Sequence, residues 1–357
     1  MDIVYATREQ VTRSLEIAHT SWSNSLIDQK LRASSRSIEG LLHRRFYPER
    51  RTILKDWPNY QGAPTWQLWL DGEELISLET LTSGGNVIPG NQRFLRRGDD
   101  RDEPPYSYIE LDLSTAAAFG AGLTFQRSVS VLGLFGYKET DTSVPASGQL
   151  GGNVNSSVQS IVINPLNGSL DVGVGSLLLV GTERMVLTNR RMSDTGQNLQ
   201  GTMTDVQSDV IVDVTDGTAF AVDEVILLGA ERMKIDDIAG NNLIVTRAWD
   251  GTPLTTHSAA EDVYALRTFT AARGVLGSTA ASHTLADSVW AHDYGIVNEL
   301  CIAETVVALE QNSAGYARVV GSGANARESK GAGLEDLRMR AQEAVGRGGH
   351  KTHAGAV

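Results

Sequence analysis

Residues Ser25–Pro48, SLIDQKLRASSRSIEGLLHRRFYP, contain the pattern around which the rest of the chain can be interpreted. Their apolar side chains recur at steps of three and four residues, which is typical of a helix with one apolar stripe. The stripe consists of Leu26, Ile27, Leu31, Ile38, Leu41 and Leu42. Ser25 can cap the helix N-terminus, and Pro48 ends the helical pattern because proline lacks an amide N–H. The stretch therefore predicts one long amphipathic helix.

A shorter helix is predicted just before this one. Thr7 and Gln10 form a capping-box pattern, and Val11 and Leu15 continue one helical face. Because only a short break separates the two helical patterns, they predict a helical hairpin over residues 7–47.

The N-terminal pattern also resembles a known protein family. The residues that carry this resemblance are Tyr5 to Val11, then Ala33, Ser34, Ile38, Glu39, Arg45, Phe46, Tyr47 and Pro48. In this combination they resemble the head-to-tail connector (adaptor) proteins of long-tailed, double-stranded DNA bacteriophages. The resemblance covers about the first fifty residues and, more loosely, residues 284–313. It does not explain residues 150–270.

The resemblance implies a structural virion protein, not an enzyme, with no cofactor. Proteins of this family form a ring, a dodecamer, at the neck between capsid and tail. The ring binds the portal protein on one side and head-closure or tail-completion proteins on the other. Genomic double-stranded DNA passes through the lumen without sequence-specific binding. We therefore expect the chain to be made in the host cytoplasm and to end up in the virion.

Two sets of residues are predicted to make these contacts. The first follows the long helix and is predicted to be a subunit or portal interface: Arg44, Arg45, Phe46, Tyr47, Arg50 and Arg51. The second lies on a short amphipathic helix near the C-terminus, after a Gly-rich tether at 321–333, and is predicted to dock on the portal: Leu334, Leu337, Arg338, Arg340, Ala341 and Val345. A helix on a tether has little reason to keep an apolar face unless that face docks on something.

The net charge of -12 is unevenly distributed along the chain. Residues 1–55 hold ten Lys or Arg against six Asp or Glu, and residues 314–357 hold seven against four, so the centre is strongly acidic. An acidic centre argues against tight DNA binding and would let DNA slide past, although an ordinary acidic domain fits equally well. The single cysteine, Cys301, excludes an intramolecular disulfide framework. No apolar run approaches the roughly 18–20 residues that span a bilayer, so no membrane partner is predicted.

The sequence after Pro48 predicts strands, because apolar residues alternate with polar ones. The predicted strands lie at 51–55, 65–70, 75–82, 106–113 and 128–137. Asp71-Gly72 is a typical hairpin turn between two of them.

An internal repeat then begins after a polar linker at 138–160. Gly181 and Glu183 recur as Gly229 and Glu231, 48 residues later, and the second copy continues to His257. The repeat predicts a duplicated small β-module.

Beyond the module, Thr284 and Asp287 are typical of a cap, and they predict a long helix over 284–313 that packs on the N-terminal hairpin. The predicted fold class is thus α+β: an N-terminal helical hairpin and a C-terminal long helix packed together with a β-rich section, plus the inserted duplicated β-module. The predicted domains are 1–149 (N-terminal part of the connector domain), 150–270 (inserted β-module), 271–320 (C-terminal helix of the connector domain) and 321–357 (tether and docking helix).

The sequence contains no motif typical of a catalytic, cofactor or metal site. The acidic loop with Asp99, Asp100 and Asp102 lacks the ligand spacing of a calcium loop, and His350 and His353 lie in a tail. We therefore predict no enzyme activity and no metal. Two alternatives stay open: a virion accessory protein whose β-module binds another virion protein or a host glycan, and a hydrolase with a dispersed site.

Overall fold

The computed structural model of the protein describes residues 2–15, 22–57, 64–98, 103–313, 319–320, 327–328 and 332–346. Three predicted features lie wholly or mostly outside these residues: the acidic side chains at 99, 100 and 102, the tether, and the tail with His350 and His353. The described chain divides into two compact units. Unit 1 is formed from residues within 1–38, 141–275 and 279–343, and unit 2 from residues within 39–140, 276–278 and 344–346.

The chain is mostly β, so the predicted α+β fold of a helical hairpin and a long helix is wrong. Among the described residues 36% are in strands and 21% are in helices. The four helices of the described residues are α1 (Arg8–Ser14), α2 (Asn24–Leu42), α3 (Ile296–Ser313) and α4 (Ala332–Val345). The prediction was wrong because helical periodicity at the two ends was taken as the framework, whereas the strands between them close into a barrel of their own.

The strands of unit 2 are β1 (Glu49–Lys55), β2 (Gln67–Trp69), β3 (Leu75–Ser83), β4 (Asn86–Ile88), β5 (Arg93–Arg96), β6 (Tyr108–Leu111) and β7 (Val129–Phe135). Those of unit 1 begin with β8 (Gly148–Leu150), β9 (Ser160–Asn164), β10 (Leu177–Val180), β11 (Glu183–Asn198), β12 (Ile211–Asp213) and β13 (Val225–Leu228). They continue with β14 (Glu231–Ala239), β15 (Asn242–Thr246), β16 (Asp262–Ala272), β17 (Ser288–Ala291), β18 (Val319–Val320) and β19 (Arg327–Glu328).

The predicted helix at 284–313 is wrong in its first third. Thr284 Oγ1 donates to Asp287 Oδ1 at 2.8 Å, and this bond closes a turn before β17. Val289 of β17 is buried in the barrel core, and α3 begins only at Ile296. The pattern misled because a Thr-x-x-Asp pair closes isolated turns as well as helix starts.

The first barrel of unit 1 is a closed ring of six strands. Neighbours pair in the order β11, β10, β17, β8, β9 and β16, and β16 pairs back onto β11. Its interior contains Leu150, Val154, Ile161, Ile163, Leu178, Val180, Met185, Leu187, Phe269, Ala271 and Val289. The ring buries one apolar face of every strand and leaves none of these six strands as an edge.

A second barrel uses the other halves of the same two long strands, β11 and β16. From β16 the pairing continues through β13, β14, β15 and β12, and a bridge between Leu199 and Val214 joins β12 back to the end of β11. Its separate core contains Leu199, Met203, Val212, Val214, Phe220, Ile226, Leu228, Met233, Ile235, Leu243, Val245, Val263 and Ala265. The two barrels therefore correspond to the two copies of the sequence repeat.

Unit 2 contains two antiparallel sheets around a third core. One sheet has the order β1, β7, β3 and β4, and the other has the order β2, β6 and β5. The strands predicted in this region are confirmed as β1, β2, β3, β6 and β7. Asp71 and Gly72 do form a turn, with φ of 48° and 95°. It is not a hairpin, however, because β2 and β3 belong to different sheets.

Helices α2 and α3 both bind the backbone of Tyr5, whose side chain is buried. Tyr5 N–H donates to Ser35 Oγ on α2 at 3.1 Å, and Asn298 Nδ2 on α3 donates to Tyr5 O at 2.8 Å. Ser35 Oγ also lies 3.5 Å from Cys301 Sγ on α3. Ser35 and Cys301 thus connect α2 and α3, and α3 packs against α1.

Candidate functional site

The predicted interface residues lie where the chain leaves α2, within unit 2. His43 has a φ of 54°, which ends the helix, and Phe46 and Tyr47 are then buried. Gly136 lies directly against this exit, since a Cβ at that position would be 2.3 Å from Tyr47 O. Its φ of 141° is one that glycine adopts without strain. The backbone of this corner is therefore fixed by packing on both sides.

Each of the four arginines at the corner has a glutamate partner. The pairs are Arg44–Glu74 at 2.9 Å, Arg45–Glu49 at 3.5 Å, Arg50–Glu79 at 2.7 Å, and Arg51–Glu73. The hydrogen bond from Arg50 lowers the pKa of Glu79, which keeps this carboxylate ionised beside the guanidinium. A partner that docks here therefore meets balanced charge and not a bare basic patch.

Three of these ion pairs, all but Arg50–Glu79, line an open cleft of about 350 Å³ in unit 2. Besides three of the arginines, the cleft exposes the carboxylates of Glu39, Asp71 and Glu73. Few of its lining side chains are apolar; Phe135 is one of them. Such a lining suits the polar rim of a protein–protein contact, where charged groups fix the orientation of the partner.

A second arrangement of charged groups is buried at the rim of the second barrel and centres on Glu231. Arg247 donates from Nε and Nη2 to the two carboxylate oxygens, at 2.7 and 2.8 Å. The backbone N–H groups of Ala248 and Thr255 donate to the same carboxylate, at 2.9 and 3.0 Å, and His257 Nε2 lies 3.0 Å from it. The remaining arginine protons bind backbone carbonyl oxygens, so the cluster ties down the loop from residue 247 to residue 257.

The first barrel contains the same arrangement around Glu183. Arg273 Nε and Nη2 donate to its two oxygens, both at 2.7 Å, and His283 Nε2 lies 2.8 Å away. The N–H groups of Gly274 and Ala281 take the places that Ala248 and Thr255 have in the other barrel. Each barrel thus has a buried glutamate that binds an arginine, a histidine and two backbone N–H groups of one loop. We call this arrangement the glutamate clamp.

Both clamp glutamates are ionised at any ordinary pH. Burial opposes the charge on Glu231, but the hydrogen bonds from Arg247, Thr255, His257 and Ala248 outweigh it and lower the pKa to about 2. The matching bonds lower the pKa of Glu183 to about 2 as well. A buried carboxylate with this many donors is a structural anchor, because no lone pair is left to act as a base.

The clamp of the second barrel contains a Thr–His–Glu array that superficially matches a catalytic triad. Thr255 Oγ1 lies 3.3 Å from His257 Nε2, and His257 Nδ1 lies 3.0 Å from Glu261 Oε2. His257 Nε2, however, is already hydrogen-bonded to the Glu231 carboxylate, and only 1% of the His257 side chain is exposed. Nucleophilic catalysis needs a free base nitrogen and an open path for substrate, so this array does not provide it. In the described residues there is also no group of three or more side chains suited to hold a metal ion.

The predicted docking helix corresponds to α4, and it contacts its own chain. Ala341 is fully buried, while Leu334, Leu337 and Val345 are half-buried. Arg338 Nε donates to Glu304 Oε1 on α3 at 2.8 Å. The exposed side chains of α4 that could meet a partner include Met339 and Arg340.

Sequence reasoning missed the second half of the first clamp. It found the glutamates of both copies, and His257, but not Arg273 and His283. The signal was present: Arg247 and His257 recur as Arg273 and His283, with the same ten-residue spacing. The number of residues between the two glutamates differs from the number between the two Arg–His pairs. A search for one fixed repeat length therefore does not connect each glutamate with its own arginine and histidine.

Comparison with protein-family models, with curated proteins and with solved structures finds no match to this chain. Within the described part of the chain, none of the helices has the length and apolar character needed to traverse a bilayer.

Proposed function

We propose that this chain is a head-to-tail adaptor of a long-tailed bacteriophage. As such it is a structural subunit that forms a ring, a dodecamer, between the portal and the head-closure or tail-completion proteins. Genomic DNA passes through the ring, and the subunit has no catalytic role.

The observation that carries the proposal is the corner after α2. The motif residues Phe46 and Tyr47 are buried there, and the arginines around them pair with glutamates, three of the pairs in a cleft of about 350 Å³. A fixed, charge-balanced surface at a helix exit suits contacts that must have a defined geometry, as those of a closed ring must. The strongly acidic centre of the sequence further supports the passage of DNA without adhesion.

Electron microscopy of the purified chain, alone and mixed with the portal protein of the same virion, tests the proposal. Rings with a central channel, of about the same diameter as the portal, are expected. Antibody against the chain should label the virion neck. Single particles under all conditions, together with label elsewhere on the virion, would refute the adaptor role.

The role of the corner is tested by the double variant R45A/R50A. These two arginines are the better choice because their side chains are 56% and 45% exposed, so their removal leaves no buried carboxylate unpaired. We expect loss of rings with an unchanged melting temperature. The matched control is Arg32→Ala, an exposed arginine on α2 that is not one of the predicted interface residues. Normal ring formation by the double variant would exclude the corner from the interface.

Portal docking by α4 is tested on its exposed side, because truncating the helix would also expose Glu304. The variant M339D/R340E changes two exposed side chains and leaves the Arg338–Glu304 pair in place. We expect portal affinity to fall at least about tenfold, as placing like or unpaired charge in an interface commonly does. Unchanged affinity would show that α4 packs on its own chain and does not contact the portal protein.

The alternative of a glycan-binding module gains no support from the barrels. Exposed aromatic rings would favour it, but Phe220 and Phe269 are buried, and Trp249 and Tyr264 are half-buried.

A further inference from the structure

The loop at residues 120–126 of unit 2, GAGLTFQ, holds two large apolar side chains in solvent; we call it the apolar loop. Leu123 is fully exposed, at 105% of its reference area, and Phe125 is 66% exposed. Exposed apolar side chains are normal when they are scattered singly, but two on one short loop are a feature of contact surfaces.

The backbone of this loop is fixed at both ends. Ser83 Oγ donates to Gly120 O at 3.0 Å and accepts Gly120 N–H at 2.9 Å. At the other end Trp57 N–H donates to Phe125 O at 2.9 Å. A Cβ on Gly122 would lie 3.0 Å from Gly84 Cα, so the loop also packs tightly on the neighbouring turn. The apolar loop is therefore pre-organised, and a partner would not have to order it on binding.

Unit 1 has a groove of about 330 Å³ between α1 and the two barrels; we call it the barrel groove. Its larger apolar lining residues are Leu170, Val172, Val222, Val225, Trp249 and Leu266. The volume equals that of about eleven water molecules, which is room for two large apolar side chains.

The charges at the rim of the barrel groove already neutralise one another. Arg190 pairs with Glu9 at 2.8 Å, and Lys234 pairs with Asp223 at 2.9 Å. Arg13 also lies 3.7 Å from Asp223. An occupant therefore needs no charge of its own, and the sequence of the apolar loop has none.

We infer that the apolar loop of one copy inserts Leu123 and Phe125 into the barrel groove of the next copy. This inference rests on the proposed ring and names a contact between neighbouring subunits in addition to the corner after α2. Loop and groove are different surfaces, so the contact is heterologous: each copy offers one loop and one groove, and repetition closes a ring when the rotation fits.

Cysteine cross-linking between two variants tests this contact. Cys301, the single native cysteine, is fully buried, so engineered thiols react selectively. The variants L123C and V222C are purified separately, mixed, and oxidised; Val222 lines the groove and is 49% exposed. Disulfide-linked dimers are expected in the mixture and not in either variant alone. The control replaces V222C by L285C, which is 61% exposed and lies outside the groove.

Leu123→Asp gives a second readout that folding cannot confound, because Leu123 contributes nothing to the core. We expect association of copies to weaken at least about tenfold, since a carboxylate would enter an apolar groove. Assembly by light scattering without the L123C–V222C disulfide, or equal cross-linking to L285C, would overturn the inference and leave the ring proposal standing. A chain that stays monomeric with and without the portal, and gives no disulfide, would overturn both.

Discussion

The glutamate clamp predicts how strongly one buried carboxylate stabilises the fold. In the second barrel Glu231 is fully buried and has a pKa of about 2, against an ordinary value of 4.5. This difference of about 2.5 pH units corresponds to ~3 kcal/mol of stability at pH 7. Glu231→Gln removes the charge and turns an amide NH₂ toward groups that themselves donate. We expect this variant to lose about 3–4 kcal/mol, a cost typical of breaking a buried ion pair.

The pH dependence follows from the sign of the shift. Because folding lowers the pKa of Glu231, its stabilisation is fully present above about pH 4.5 and is lost as the pH falls toward 2. At pH 3 about 1 kcal/mol of it remains. The difference in stability between the wild type and Glu231→Gln should therefore shrink by about 2 kcal/mol between pH 7 and pH 3.

Hydrogen exchange measures this effect locally, which matters because a chain of two units need not unfold in one step. The amides of Ala248 and Thr255 donate to Glu231, so their protection reports the opening of the clamp. The matched control is Glu261→Gln. Glu261 makes a bond to His257 from a partly exposed position, so its loss should cost under about 1 kcal/mol. Equal protection in both variants, or a difference that does not change with pH, would refute the reasoning.

Three further outcomes are expected. Gly136→Ala should destabilise unit 2 by several kcal/mol, seen as a lowered melting temperature, because its Cβ would lie 2.3 Å from Tyr47 O. Cys301 should react with a thiol reagent only after unfolding, since burial raises its pKa to about 11. Replacing the segment between Arg191 and Thr268, which pair across β11 and β16, by an Asn-Gly turn should remove the second barrel and leave the first folded, as circular dichroism would report.

How far the sequence predicts the fold depends on how local the signal is. The capping box of Thr7 and Gln10 is present, and the strands of unit 2 lie where alternation predicts them. Each of these signals is carried by neighbouring residues. The strand at 288–291 has no such signal: only four residues long, it is recognisable as a strand from its barrel partners, which lie more than a hundred residues earlier.

In the candidate site, too, the features that the sequence predicts are those carried by neighbouring residues. Phe46 and Tyr47 lie beside the arginines because they are contiguous with them in the chain. Their burial and the pairing of Arg44 with Glu74 depend on a part of the chain that follows later, so the sequence around the arginines does not show that their charge is neutralised. Sequence periodicity does not report which distant carboxylate will neutralise a cation.

The repeat was recognised only in part because one copy is nested inside the other. The strands of the second barrel run from the middle of β11 to the middle of β16, so they interrupt the first barrel. The insertion separates Glu183 from Arg273 by a whole barrel, whereas Glu231 and Arg247 lie close together in the chain. Sequence offsets between the copies are consequently different before and after the insertion point.

Because one barrel is inserted into the other, the two barrels of the module are held rigidly together. Strands β11 and β16 continue through both barrels. Their pairing has three register shifts, one of which, between Arg191 and Ser193, lies where the barrels meet. At that junction Arg267 is buried against Glu224, with Nε 2.6 Å from Oε1. Two barrels joined by a continuous hydrogen-bonded ribbon cannot reorient as domains on a linker do. The module is therefore a stiff extension, which suits a fixed spacer in an assembly better than an arm that must search for a ligand.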